Sequence, residues 1–132
     1  MAVSFDNYLV VGISSRALFD LEEANKIFET QGLDAYREYQ IQHEDDILKP
    51  GAGFGLVKNL LNINEKTSKK LVEVIVMSRN SAETSLRIIN SLKHYGFDIG
   101  RMVMSGGEDI SRYLKAFGVD LFLSCNENLG KY

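Results

Sequence analysis

Four short polar clusters carry the groups in this chain that could do chemistry: Ser14-Ser15-Arg16, Ser78-Arg79-Asn80, Ser105-Gly106-Gly107 and Ser124-Cys125-Asn126. Each follows an apolar run. Hydroxyls and backbone N–H groups gathered at such positions make an oxyanion or phosphate cradle, and Arg16 or Arg79 can supply the positive charge. The candidate phosphate- and nucleotide-binding residues are therefore Ser14, Ser15, Arg16, Ser78, Arg79, Asn80, Gly106 and Gly107. The competing reading is that small polar residues end strands everywhere, because turns need them. Four clusters in similar positions weigh against that blander account.

Other reactive groups are more isolated. His43 and His94 lie in unrelated segments without a second metal ligand at useful spacing, so each reads as a surface or partly buried histidine. Asp45-Asp46 reads as a solvated acidic pair and Lys115 as a solvent-facing residue within a helix. Cys125 follows a strand without a paired base and reads as a small buried residue. Ser105-Gly106-Gly107 has neither a dinucleotide fingerprint nor a P-loop lysine.

The elements that must position these clusters follow from apolar periodicity. Tyr8-Leu9-Val10-Val11 reads as a buried strand that closes at Gly12 and the hydroxyls of Ser14 and Ser15. Asp20 or a neighbour can cap a helix over 21–30, which Gly32 stops. A second helix runs from Leu33 to Gln42, with Leu33, Tyr36 and Tyr39 on one face and Gln40 at its margin. His43 to Asp46 is a polar break, and Ile47 to Gly53 is extended because Pro50 biases Lys49 away from helix.

A helix over 54–62 follows, then a polar connection over 64–70 and a strand over 71–77 rich in β-branched residues. Asn80 or Ser81 can cap a helix from Ala82 to Tyr95, and Gly96 ends it. A strand over 101–104, a helix over 110–117 and a strand over 121–123 complete the series. This alternation predicts an α/β fold: a three-layer, mostly parallel, Rossmann-like sheet with a small helical insert after strand 1. In a parallel sheet the polar clusters converge on one edge, where ligands of open α/β sheets sit.

With 132 residues, the chain is one domain's worth and long enough to bury a core. A formal charge of −3 argues against a nucleic-acid or membrane surface as the main partner. One cysteine rules out an internal disulfide framework, and no segment looks like a signal peptide or membrane span, so a cytoplasmic location is expected.

An ordered series of motifs resembles the AMP-preferring cytosolic 5′-nucleotidases. It comprises Ser14-Ser15-Arg16-Ala17-Leu18-Phe19-Asp20, Gln31-Gly32-Leu33-Asp34-Ala35-Tyr36, Leu48-Lys49-Pro50-Gly51 and Ile75-Val76-Met77-Ser78. It continues with Arg87-Ile88-Ile89-Asn90-Ser91, His94-Tyr95-Gly96, Ser105-Gly106-Gly107 and Tyr113-Leu114-Lys115-Ala116. The resemblance implies a haloacid-dehalogenase-like fold, with residues 21–49 as the cap inserted after the first strand and Pro50-Gly51 as the re-entry to the core. It also implies Mg²⁺-dependent hydrolysis of nucleoside 5′-monophosphates.

In that superfamily an aspartate after the first strand takes the phosphoryl group, and a second, two residues on, protonates the leaving oxygen. Here Ser14 and Arg16 stand at those positions, so no catalytic residue is assigned. Ser78 matches the hydroxyl that holds phosphate. Glu108-Asp109 stands where a lysine would be useful, and Ser124-Cys125 replaces an acidic pair, so the chain offers no convincing metal site. Arg16 in an acid's place turns a cation-binding pocket toward anions.

The expectation is a chain that binds phosphate or nucleotide, as the front half of a longer 5′-nucleotidase or a stand-alone relative of it. Its partners would be a nucleoside monophosphate or phosphate, and either a second copy of itself or a missing catalytic half. The alternative is a non-catalytic scaffold or oligomerisation domain. A third reading is an enzyme with Ser14 or Cys125 as nucleophile.

Overall fold

The computed structural model describes residues 8–67, 69–82 and 84–124. Four parallel strands lie in the order β3-β2-β1-β4: β1 Leu9–Ser14, β2 Val72–Ser78, β3 Arg101–Met104 and β4 Leu121–Leu123. Among the described residues six helices accompany them: α1 Ser15–Leu18, α2 Glu22–Gln31, α3 Leu33–Gln42, α4 Phe54–Lys66, α5 Leu86–His94 and α6 Ser111–Ala116.

The two inner strands carry the core. Every residue of β2 is buried, as are Val10 to Ile13 of β1. Alternation along these strands sorts their side chains to two faces. Val11, Ile13, Val74 and Val76 meet Leu18, Phe19, Val57, Ile88 and Leu92 on one face, the side of α4 and α5. Val10, Ile75, Met77 and Val103 meet Ile110, with Tyr113, Leu114 and Phe117 of α6 packed against them, on the other. An aromatic group of Phe19, Phe54, Tyr95 and Phe97 fills the first face, with Phe54–Tyr95 and Phe54–Phe97 centroids each 4.8 Å apart.

The strand β1 ends at Ser14, at the hydroxyls expected to close it, with Gly12 and Ile13 inside it. Gly12 lies inside the sheet because a Cβ there would come within 3.0–3.2 Å of Met77, Phe122 and Val119 side chains. The turn of helix at Ser15–Leu18 is absent from the sequence reading, since four residues carry no periodicity.

Residues between Phe19 and Pro50 leave the core and return. Phe19 and Pro50 form an antiparallel bridge, Asp20 N–H donates to Lys49 C=O at 2.9 Å, and Gly51 N–H donates to Leu18 C=O at 2.9 Å. A Cβ on Gly51 would stand 2.8–3.0 Å from backbone atoms of Ala17 and Phe19, so only glycine lets the returning chain pass here. Between these ends stand α2 and α3.

Two other expectations shift. Helix α4 continues to Lys66, four residues past the expected end, because Asn64 is used at its last turn. Its Oδ1 accepts from Leu71 and Val72 N–H at 2.8 and 3.0 Å, and its Nδ2 donates to Val72 C=O at 2.6 Å. Helix α5 begins at Leu86, not Ala82. The Ser81 carbonyl accepts from the Thr84 and Ser85 hydroxyls at 3.2 and 2.8 Å, so side chains hold a turn where helix was expected, and neither Asn80 nor Ser81 acts as cap.

Candidate functional site

Parallel pairing brings the C-terminal ends of the strands to one side. The register pairs Ser14 with Met77 and Ser78 with Met104, which sets Ser15 level with Ser78 in the next row. Ser15 and Ser78 are both buried, and the Ser15 hydroxyl donates to Ser78 Oγ at 3.4 Å. Ser78 Oγ also accepts from Asn80 N–H at 3.1 Å. A serine hydroxyl has two lone pairs and one proton. With both lone pairs engaged, the O–H of Ser78 is the group that remains to be given.

Ser14 serves first as the cap of α1, its Oγ accepting from Ala17 N–H at 3.2 Å. Arg16 is exposed on the same turn, with the Glu22 carboxylate 3.7 Å from its guanidinium. The loop after β3 is tied to the loop after β2: Ser105 N–H donates to Ser78 C=O at 2.9 Å, Gly106 N–H to Asn80 C=O at 3.3 Å, and Gly107 N–H to Arg79 C=O at 2.6 Å. Gly106 and Gly107 take φ of +64° and +97°, the left-handed region that favours glycine. Their amides thus hold the Ser78–Asn80 loop in shape. Arg79 is exposed.

One residue of this region was not singled out from the sequence. Tyr36 of α3 donates its O–H to Asn80 Oδ1 at 2.8 Å, which brings the inserted helices to the end of β2. Burial pushes the Tyr36 phenol up, while Gln40, Asn80 and the positive charges of Arg16 and Arg87 pull it back less strongly. Its ring meets Phe28 of α2 edge-on at 5.9 Å. The available signal was Gln40, a polar residue one turn after Tyr36 that is 1% exposed and so needed a buried partner.

The remaining candidates do not join the cluster. His43 stacks on Tyr39 at 4.1 Å, and its Nδ1 lies 2.8 Å from the Tyr39 carbonyl. His94 is exposed and meets Tyr95 edge-on, and Lys115 is exposed. Asp45 and Asp46 are exposed as well. Glu108 takes hydrogen bonds or charge from Tyr113 and Arg112, and Asp109 caps the Ser111 N–H at 2.9 Å. Cys125 and Asn126 lie outside the described residues.

The donor set bears on magnesium. Mg²⁺ prefers an octahedron of oxygens drawn mainly from carboxylates, phosphates and water. Here the strand ends offer hydroxyls, a carboxamide and the Arg16 guanidinium, and the nearby Asp20 carboxylate is already accepting from Glu22 N–H at 3.1 Å. Among the described residues no group of three or more His, Cys, Asp and Glu could hold a metal ion. These residues do not fit Mg²⁺. They fit an anion.

A family model described as 5′-nucleotidase matches residues 1–129. The chain is 36% identical over 126 residues to human (Homo sapiens) cytosolic 5′-nucleotidase 1B, covering 91% of this chain and 21% of that protein. It therefore spans about a fifth of the length of that curated relative. No solved structure matches. Among the described residues no helix is long and apolar enough to cross a membrane. The chain belongs to the 5′-nucleotidase family.

Proposed function

We propose that this member of the 5′-nucleotidase family binds the phosphate of an AMP-like nucleoside 5′-monophosphate at the C-terminal ends of β1 and β2, and does not itself hydrolyse it. The observation that carries the reading is the Ser15–Ser78 hydroxyl pair. Ser78 accepts from Ser15 and from Asn80 N–H, which leaves its O–H as a donor. Ser15 and the Asn80 N–H hold the oxygen of that donor, Ser14 lies on the adjoining turn, and Arg16 adds charge. Gly106 and Gly107 support the loop from behind, and Arg79 acts at long range on an approaching anion.

The finer fold reading is a haloacid-dehalogenase-like domain with residues 21–49 as its cap. In such a family the reaction is Mg²⁺-dependent phosphate-ester hydrolysis through an aspartate. The chemistry of this chain does not support that step. Ser14 stands at the nucleophile's position, and its oxygen caps α1. Serine attacks only with a base beside it, and the rings of His43 and His94 are packed against Tyr39 and Tyr95. Hydrolysis then belongs to a catalytic partner segment, which the span of about a fifth of the human relative supports. A cytoplasmic setting, with no nucleic-acid or membrane partner, suits this role.

The test pairs two measurements on the purified 132-residue chain. AMP and inorganic phosphate should each raise the melting temperature, and phosphate release from AMP should stay at the uncatalysed level with and without Mg²⁺. Mg²⁺-dependent turnover that co-purifies with the chain would overturn the non-hydrolytic half of the proposal. Absence of any thermal shift at millimolar ligand would overturn the binding half and leave the scaffold reading ahead.

A further inference from the structure

A line of hydrogen bonds with one direction runs from α5 through the inserted helix to the end of β2. Arg87 Nη1 donates to Gln40 Oε1 at 3.3 Å, Gln40 Nε2 donates to Tyr36 Oη at 3.5 Å, and Tyr36 O–H donates to Asn80 Oδ1 at 2.8 Å. The direction is set at the Arg87 end, because a guanidinium only donates. Its Nε is held by the Asp46 carbonyl at 2.9 Å, and its guanidinium carbon lies 5.9 Å from the centre of the Tyr39 ring. Gln40, buried between, must therefore turn its oxygen to Arg87 and its nitrogen to Tyr36. The phenol oxygen, already accepting, gives its proton to Asn80.

The consequence falls on the Asn80 carboxamide. A carboxamide has one accepting and one donating end, and a half-turn exchanges them. With Oδ1 committed to the phenol, Asn80 offers its Nδ2 hydrogens, which suits an anion. Turned the other way it would present a carbonyl oxygen and repel one. We propose that Tyr36, Gln40 and Arg87 are positioning residues that lock the Asn80 carboxamide in its donating orientation and so tune the strand-end pocket to phosphate. This rests on the phosphate-binding reading above and deepens it: the inserted helix α3 sets the anion preference of a site built on the sheet.

The direct test is a double-mutant cycle on the 132-residue chain, read by calorimetric binding of AMP and of inorganic phosphate. Tyr36→Phe deletes the donated proton while keeping the ring that meets Phe28. It should weaken both ligands by about tenfold, the worth of one well-placed hydrogen bond. In an Asn80→Ala background the same change should have no further effect, because the phenol acts only through Asn80. A role in fold stability alone would instead give equal effects in both backgrounds, and that result would overturn the proposal.

A second readout needs no ligand. In ¹⁵N-edited NMR spectra the Asn80 side-chain amide pair should shift or broaden in Tyr36→Phe, and an unmoved pair would overturn the relay. If the wild-type chain binds neither ligand, the site reading fails and the anion-tuning role falls with it. If the wild type binds and Tyr36→Phe binds equally well, only the role of Tyr36 is overturned.

Discussion

The two ends of the central strands are both polar, yet they use polarity differently. At the N-terminal end of β2 the polar groups satisfy one another. Asn64 closes on Leu71 and Val72 through three hydrogen bonds, and Glu73 is gripped by two donors of Arg101, one at 2.8 Å. At the C-terminal end the same kinds of groups leave something to give. Ser78 retains its proton and Asn80 its Nδ2 hydrogens. Residue type does not distinguish a structural pin from a binding site. What distinguishes them is whether the donors and acceptors are already spent on each other.

Substitutions at the two ends should therefore separate stability from binding, and the largest effect belongs at the closed end. Asn64→Ala strands two backbone N–H groups and a carbonyl at the joint between α4 and β2. A loss of about 3 kcal/mol in denaturant unfolding is expected, from several net hydrogen bonds of about 1 kcal/mol each. AMP affinity should hold in whatever fraction stays folded. A comparable loss of affinity would mean that the two ends are not independent.

Glu73→Gln comes next, at about 2 kcal/mol, because the buried Glu73 side chain loses its charge-assisted hydrogen bonds to the partly exposed Arg101. It also carries a pH signature. The hydrogen bonds and charge of Arg101 hold the Glu73 carboxyl below the usual carboxylate range. A carboxylate lowered by folding contributes stability that is fully present above its unfolded pKa, about 4.3, and is lost as pH falls through the lower folded value. Stability of the wild type should decline through that acid window, and Glu73→Gln should flatten the decline. An unchanged acid limb would contradict the assignment.

At the open end the balance should reverse. Ser78→Ala should cost about 1 kcal/mol in stability, since its loss leaves the Asn80 N–H and the buried Ser15 hydroxyl to find new partners. The same change should weaken AMP by tenfold or more. Arg16→Gln should be nearly silent in stability, within about 0.5 kcal/mol, because its ion pair with Glu22 is exposed. It should weaken AMP by about threefold and reduce the dependence of binding on salt.

The sheet was legible because its strands are short apolar runs bounded by turn formers. The strands at 101–104 and 121–123 have the predicted bounds, and the strand at 71–77 is displaced by one residue. Helix ends were less legible. The side chains of Asn64, Thr84 and Ser85 bond to backbone groups that the apolar periodicity does not reveal, at the late end of α4 and the late start of α5. At the site, the convergence of the polar strand ends followed from parallel strands, but the Ser15–Ser78 pair and the part played by Tyr36 did not. Its partner Asn80 is 44 residues away.

The motif series also divides by the same criterion. Arg87, Asn90, Ser91 and Tyr95 spend their polar groups on the returning segment: Asn90 Nδ2 on Glu44 C=O at 2.9 Å, Ser91 Oγ on Leu48 N–H at 2.9 Å, and Tyr95 O–H on Leu48 C=O at 2.7 Å, with Arg87 on Asp46. Those motif residues fasten the chain over 44–48 to α5 and its C-terminal end. Sequence alone gave them the same standing as the site residues.

The most direct test of the account is calorimetric titration of AMP into the 132-residue chain and its Ser78→Ala variant, with a chelator present. The account predicts saturable binding by the wild type without a divalent metal, weakened tenfold or more in the variant. Equal affinities in the two proteins, or wild-type binding that appears only when Mg²⁺ is restored, would contradict it.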